Sequence, residues 1–360
     1  MRVTQVEVAI VEVPQTAPLA PYRSHIRSSS TTRSGIVIVE TDEGVRGCGE
    51  HNVNFLEGIS GRKMQQDAAQ WLVGRDPLNI AAFHRECPLE TRLKSGVEMA
   101  LWDIRGQAAG LPLAKLMGGV LRPDVEVAAC MGIASYERAK ELAAYYVEHG
   151  FSTLKCKAGS NMQEDLDMVR GIRDSVGDRL KLRIDPNCAY SREESAELGR
   201  ALEEFRLEYL KQPLPPAPLS DAAWLRLQTR TPIALNESVI GPASVIDIVR
   251  HNAAEYVLPD THIAGGLQPC LEIGHICAAA NVPCIMHCGH DLGPKTMAMV
   301  HVAAAGPAYS LANDCTYYGL VDDVLTERIT IERGRIRVPD RPGLGIEIDR
   351  DRLERYRLDC

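Results

Sequence analysis

Six ionisable residues recur through the second half of the chain at intervals that match a repeating structural unit. Lys157, Asp185, Lys211, Glu237, Asp260 and His287 are separated by 28, 26, 26, 23 and 27 residues. Each stands at the end of a short aliphatic run, and each interval has room for one helix and the next strand. A solvated loop start explains one or two polar residues at such places. Six in phase, of types rarely buried without partners, point to one shared site. Asp185 and Glu237 are hard oxygen ligands suited to Mg²⁺. Lys155 lies two residues before Lys157, hence on the same strand face, and neighbouring ammoniums lower each other's pKa until one serves as a base near neutrality. Asp260 and His287 end adjacent strands, so the carboxylate can orient the imidazole as a second base. A lysine on one side of an electrophilic centre and a histidine on the other suit removal of a proton beside a carboxylate and its return elsewhere.

Lys211 fits this scheme least easily. The stretch "EYLKQPLPP" looks like a buried strand ending on an ammonium, which costs several kcal/mol unless something nearby neutralises it. Asp185 and Glu237, on the neighbouring strands, are the candidate partners.

The elements that position these residues follow from periodicity. Strands are expected at 125–131, 152–157, 181–185, 207–211, 232–237, 255–260, 283–287 and about 309–314, with amphipathic helices such as "SYERAKELAAYYVEHG" between them. Strand alternating with helix implies parallel strands and right-handed crossovers. Eight strands suit an α/β barrel, whose strand ends converge on one mouth. A doubly wound sheet is the alternative, but no glycine-rich phosphate turn follows the first strand. Residues 1–122 read as an α+β unit containing the hairpin "SGIVIVETDEGVRGCGE", turned at Asp42-Glu43-Gly44. Residues 123–320 form the barrel, and the tail 321–360 is expected to return to the first unit as a short hairpin and a helix.

Composition narrows the function classes. Hydrophobic content of 45% and a net charge of -8 describe a globular protein without a nucleic-acid surface. No apolar run approaches the roughly 18 residues that span a membrane. The eleven cysteines lack a framework spacing and no secretory segment precedes them, so reduced thiols and a cytoplasmic location are expected. The loop from Arg23 to Arg33 is the one local cationic cluster, and Tyr22, Arg23, His25 and Arg27 are its expected contacts to a small anionic substrate. "CIMHCGH" raises zinc, but Cys284, His287, Cys288 and His290 alternate sides of a strand and fit no standard finger, so a zinc site is not expected, and the turn-borne His290 is the one member that could still join the site. Cys156 should face outward as a packing residue, and Met99 and Trp102 should lie in a helix core.

Several segments carry a resemblance. "MALWDIRGQAAGLPLAKLMGG", "LKCKAG", "RIDPN", "LNES", "LPDTHIAGGL", "VPCIMHCG", "DDVLTE" and "PDRPGLGIEID" resemble, in order, motifs of the enolase superfamily in its mandelate racemase and muconate lactonizing enzyme branch. The resemblance covers essentially the whole chain. It implies a capping domain completed by the C-terminal segment, a (β/α)₇β modified TIM barrel, and abstraction of the proton α to a carboxylate through an enediolate stabilised by Mg²⁺. The implied substrate is a small hydroxy or amino acid, undergoing racemisation, epimerisation or dehydration. Cycloisomerisation is the alternative, although Asp260 stands where the lactonizing branch has a lysine. Carried over by position, Lys157 is one base with Lys155 its partner, and His287 oriented by Asp260 is the other. Asp185 and Glu237 bind metal, Asn187 and Asn313 join the substrate contacts, and loops 16–34 and 51–58 close the site. A homo-oligomer, dimer or octamer, is implied as well.

Three departures from the family pattern matter, two of them at the metal. The fourth strand of the family ends on a ligand carboxylate in the setting Glu-Gln-Pro, and the same place here is Lys211-Gln212-Pro213. The fifth carries Asn236-Glu237-Ser238 in place of Asp-Glu-Ser. The eighth, "SLANDC", lacks the acid of the racemase type, although Asn313 and Asp314 lie nearby. Three carboxylates around Mg²⁺ carry a net charge of about -1, and so do two carboxylates around one ammonium. Lys211 is therefore expected to act as a built-in cation that weakens Mg²⁺ binding. A barrel that binds an acid metabolite without the ancestral catalysis is the remaining alternative.

Overall fold

The computed structural model describes residues 1–53 and 60–358. Alternating β-branched residues build an antiparallel sheet in which strand Thr31–Thr41 pairs with Val3–Pro14 on one side and Arg46–Asn52 on the other. Its second hairpin turns at Gly44, whose φ of 77° suits glycine. Helix Thr91–Ala109 covers the sheet, with Met99 and Trp102 buried beneath it, and ends at Gly110 in the left-handed region.

The second half closes into a ring. Strands Asp124–Met131, Thr153–Lys157, Lys181–Asp185, Tyr209–Lys211, Ile233–Leu235 and Tyr256–Val257 lie parallel in chain order, and Asn313–Asp314 pairs back onto the first of them. The remaining gap is filled by residues 283–287. Ile285 N donates to Val257 O at 3.1 Å, His287 N to Pro259 O at 2.9 Å, Cys284 N to Ala308 O at 3.0 Å and Asp314 N to Met286 O at 3.0 Å. Helices Tyr136–Glu148, Met162–Val176, Arg192–Ala201, Leu219–Arg226, Pro242–Arg250, Leu267–Ala279 and Gly293–Ala305 occupy the crossovers. The architecture is that of a (β/α)₇β barrel.

The later strands are shorter than their hydrophobic runs suggest, and 283–287 is a stitched segment rather than a regular strand. Side chains take over the ladder there. Asn236 N donates to Gln212 Oε1 at 3.0 Å, Asn236 Nδ2 to Leu258 O at 2.7 Å, and Met286 N to Asn313 Oδ1 at 2.8 Å. The tail also divides. Strand Arg335–Arg337 pairs with Asp124–Glu126 of the barrel, not with the N-terminal sheet, while helix Arg350–Tyr356 runs into a backbone bond from Leu358 N to Ile10 O at 2.8 Å.

Buried carboxylates of the N-terminal unit seat two barrel helices. Glu98 accepts Leu267 N at 2.7 Å and Gln268 N at 2.9 Å at the start of helix Leu267–Ala279, together with Trp102 Nε1 at 3.1 Å. Glu50 accepts Leu292 N at 2.8 Å and Lys295 N at 2.9 Å at the start of helix Gly293–Ala305, and Ser34 Oγ at 2.7 Å. A Cβ at position 266 would meet Glu98 Cδ at 2.4 Å, so glycine allows this approach. Unpaired N–H groups at a helix start favour a carboxylate.

Candidate active site

The strand "TLKCK" sends Lys155 and Lys157 to the barrel interior and Cys156, buried, to the outer wall. Both ammoniums meet one oxygen of Asp185, Lys157 Nζ at 2.7 Å and Lys155 Nζ at 3.2 Å from Oδ2. The other oxygen, Oδ1, accepts Lys211 Nζ at 3.0 Å, and Lys211 lies 3.3 Å from Glu237 Oε2. Asn187 closes the cluster by donating Nδ2 to Glu237 Oε1 at 2.6 Å and accepting from Lys157 through Oδ1. The ammonium of Lys211 thus bridges the two carboxylates on its neighbouring strands, at 0% exposure.

Burial and these contacts set the charge states. Burial lowers the Lys157 ammonium to about 8; the ammoniums of Lys155 and Lys211 add to this, and Asp185 opposes it. The neighbouring lysine expected from the sequence contributes, and desolvation is the larger cause. Lys155 goes the other way: burial lowers it, but Tyr22, Asp185 and Asp314 outweigh burial and hold it well above the usual lysine range. Lys211 is likewise raised, its burial offset by Asp185 and Glu237. Against their own burial, Asp185 is held far below the ordinary carboxylate range by the three lysines, and Glu237 is lowered by Lys211.

Asp260 and His287 form the second group. His287 Nδ1 lies 2.8 Å from Asp260 Oδ2, while His287 Nε2 is buried with no partner. Burial lowers the imidazole pKa; Asp260 opposes that, and Lys211 and Lys155 reinforce it. Such a ring is neutral at pH 7, with Nδ1–H donated to Asp260 and the lone pair on Nε2. The other oxygen of Asp260 is engaged by His262 Nδ1 at 2.6 Å and Lys295 Nζ at 2.9 Å, and Lys295 is held by Asp291 at 2.8 Å. Sequence reasoning missed His262, Asp291 and Lys295. The four-residue spacing of Asp291 and Lys295 was a visible ion-pair signal.

The loop after the first strand forms the roof. Tyr22 is buried and packs edge-on against His290 at 4.4 Å, and Gln15 Nε2 meets His290 Nδ1 at 2.9 Å. Arg23 O accepts Ile133 N at 2.7 Å, and a Cβ at Gly132 would lie 2.5 Å from Arg23 N. His25 is near enough to Lys157 for that charge to lower its imidazole, after burial. The charge of Arg27 acts on His290.

Other expected contacts lie elsewhere. Arg23 turns outward to Ser160 Oγ at 3.5 Å and Glu164 at 3.6 Å. The side chains of Asn313 and Asn236 serve the barrel backbone. Cys284, Cys288 and His290 do not gather around His287: Cys288 pairs with Thr316 at 3.3 Å and His290 with Gln15. Of the loop 51–58, residues 54–58 lie outside the described residues. A cleft of about 690 Å³ lies far from this chemistry, between the N-terminal sheet and the tail.

The residues present do not fit a divalent cation as they stand, because the Lys211 ammonium occupies the place between Asp185 and Glu237. Among the described residues, no group of three or more His, Cys, Asp or Glu side chains is placed to hold a metal ion.

Comparison with known proteins gives the setting. Residues 5–118 match the profile of the mandelate racemase / muconate lactonizing enzyme N-terminal domain, and residues 137–352 match the enolase C-terminal domain-like profile. The chain is 34% identical to an arabinonate dehydratase of Saccharolobus solfataricus over 73% of this chain and 71% of that protein. A solved enolase from Streptomyces coelicolor, described as a putative sugar isomerase without Mg, is 30% identical, covers 99% of this chain and 96% of its own, and superposes with a TM-score of 0.90. A dipeptide epimerase of Enterococcus faecalis, solved with Mg and the dipeptide L-Leu-L-Tyr, is 26% identical over 96% of this chain and 100% of its own, with a TM-score of 0.89.

Proposed function

Because the chain belongs to the mandelate racemase and muconate lactonizing enzyme family of the enolase superfamily, we propose that it removes the proton α to the carboxylate of a small hydroxy or amino acid and completes a racemisation, epimerisation or dehydration. One observation carries this reading. A lysine lowered to about 8 and a neutral histidine with a free Nε2 stand around one buried cluster of charges. Those are the properties of two bases.

In this reading the neutral amine of Lys157 takes the α proton, and the C–H electron pair moves into the carboxylate to form an enediolate. Lys211 and Lys155, already ammonium and buried, stabilise the added charge. His287, when its Nε2 has taken up a proton from solvent before the substrate is bound, delivers that proton to the opposite face and inverts the centre; in the reverse direction the neutral ring accepts the α proton at Nε2 and the Lys157 ammonium returns one. Where the substrate carries a β-hydroxyl, His287 instead protonates it as it leaves as water, and the enol so formed becomes a 2-keto acid. Lys211 takes the place of a divalent cation here, and no step needs one. Tyr22, His25, Arg27 and Asn187 are the proposed substrate contacts.

Solvent deuterium exchange at Cα of a panel of 2-hydroxy and amino acids tests the proposal. Exchange is expected for at least one member and should be lost in Lys157→Ala or His287→Ala. No exchange across a broad panel would leave the second reading, a barrel that binds an acid metabolite, which the full engagement of Lys211 by both carboxylates favours.

A further inference from the structure

A buried cation with no part in the reaction above is Lys295. It lies in the first turn of helix Gly293–Ala305, 2% exposed, where the positive end of the helix dipole disfavours a positive charge. Asp291 Oδ1 at 2.8 Å and Asp260 Oδ1 at 2.9 Å nevertheless hold its ammonium. His262 reaches the same Asp260 oxygen through its ring at 2.6 Å and its backbone N at 3.2 Å. Oδ1 is therefore occupied and only Oδ2 is left for His287 Nδ1, at 2.8 Å. A carboxylate held in this way cannot rotate, and the imidazole it orients keeps one tautomer, with its partnerless Nε2 facing the site.

We propose that Lys295 is a positioning residue for the base His287, holding Oδ1 of Asp260 so that the carboxylate fixes the imidazole tautomer while pulling on its Nδ1 proton less than an unpaired carboxylate would. This rests on the reading that His287 exchanges a substrate proton. The charged and titratable groups acting with His287 are Asp260, Lys211, Lys155, Glu237 and His290, each from a different strand or loop. Asp260 alone is tied to Lys295. Without that ammonium, the carboxylate would accept more strongly from Nδ1–H and stabilise the protonated ring.

The test is an NMR titration of protein labelled at histidine, with the His287 signal assigned by its loss in His287→Asn. Wild type is compared with Lys295→Arg, Lys295→Met and the double variant Lys295→Met/Asp291→Asn, which removes both opposite charges and guards against misfolding. In both methionine variants the His287 midpoint should rise by about one pH unit, and in Lys295→Arg it should stay near wild type. The acid limb of Cα exchange with the substrate enantiomer that His287 deprotonates should move with it, while the limb set by Lys157 stays in place. Folded methionine variants whose His287 titrates like wild type would overturn the proposal, since a merely structural Lys295 lowers the melting temperature and leaves the titration unmoved. The NMR readout needs no turnover. A shifted titration with no exchange in any variant defeats the proposed reaction alone, and exchange with an unshifted titration defeats the role of Lys295 alone.

Discussion

Lys211 places an ammonium 3.0 Å from Asp185 and 3.3 Å from Glu237, so a divalent ion would have to displace it. Isothermal titration with Mg²⁺ should show no stoichiometric binding by the wild type at millimolar metal, whereas Lys211→Glu, with three carboxylates, should bind. Tight binding by the wild type would sink the built-in-cation reading. Lys157 supplies the pH signature. Its pKa falls from 10.5 to about 8 in the folded protein, and only the neutral amine accepts a proton. Exchange through this base should therefore be full above about pH 8 and lost as pH falls below it, tenfold per unit, in a kcat/KM profile. Both residues were legible in the sequence by type and phase. That burial outweighs the neighbouring lysine in lowering Lys157 was not, because desolvation is a property of the closed barrel.

At the scale of elements, the N-terminal unit is fastened to the barrel through helix starts. Glu98 is fully buried and accepts four donors, from Leu267 N, Gln268 N, Trp102 and His84. Glu98→Ala would leave all four without an acceptor, at a cost of about 3 kcal/mol in chemical denaturation. Removing an exposed pair such as Arg138–Glu141 should cost less than about 1 kcal/mol. The helix periods were readable beforehand. The carboxylate caps were not, since Glu98 and the helix it seats are about 170 residues apart. The late strands came out shorter than their hydrophobic runs because Gln212, Asn236 and Asn313 replace ladder bonds, which no local pattern announces.

At the scale of the molecule, the tail completes two different structures. Leu353 of its last helix is fully buried, and Arg350 and Arg357 both pair with Glu7 of the first strand. Leu353→Ala should cost about 2–5 kcal/mol by thermal or chemical unfolding, an effect centred on the N-terminal sheet far from the mouth. The protein is acidic at a net charge of -8, yet its mouth gathers Lys155, Lys157 and Lys211. The sequence by itself determined the order of strands and helices, the family resemblance and the identity of the six phased residues, because period and spacing are properties of the chain. Only the tertiary structure decided which polar atoms meet. Closure of the ring put Lys211 between its two carboxylates, spent Asn313 on the backbone, and brought Lys295 to the oxygen of Asp260 that His287 does not use. Contacts made across strands depend on register and on the depth of burial, and a linear pattern of residues carries neither.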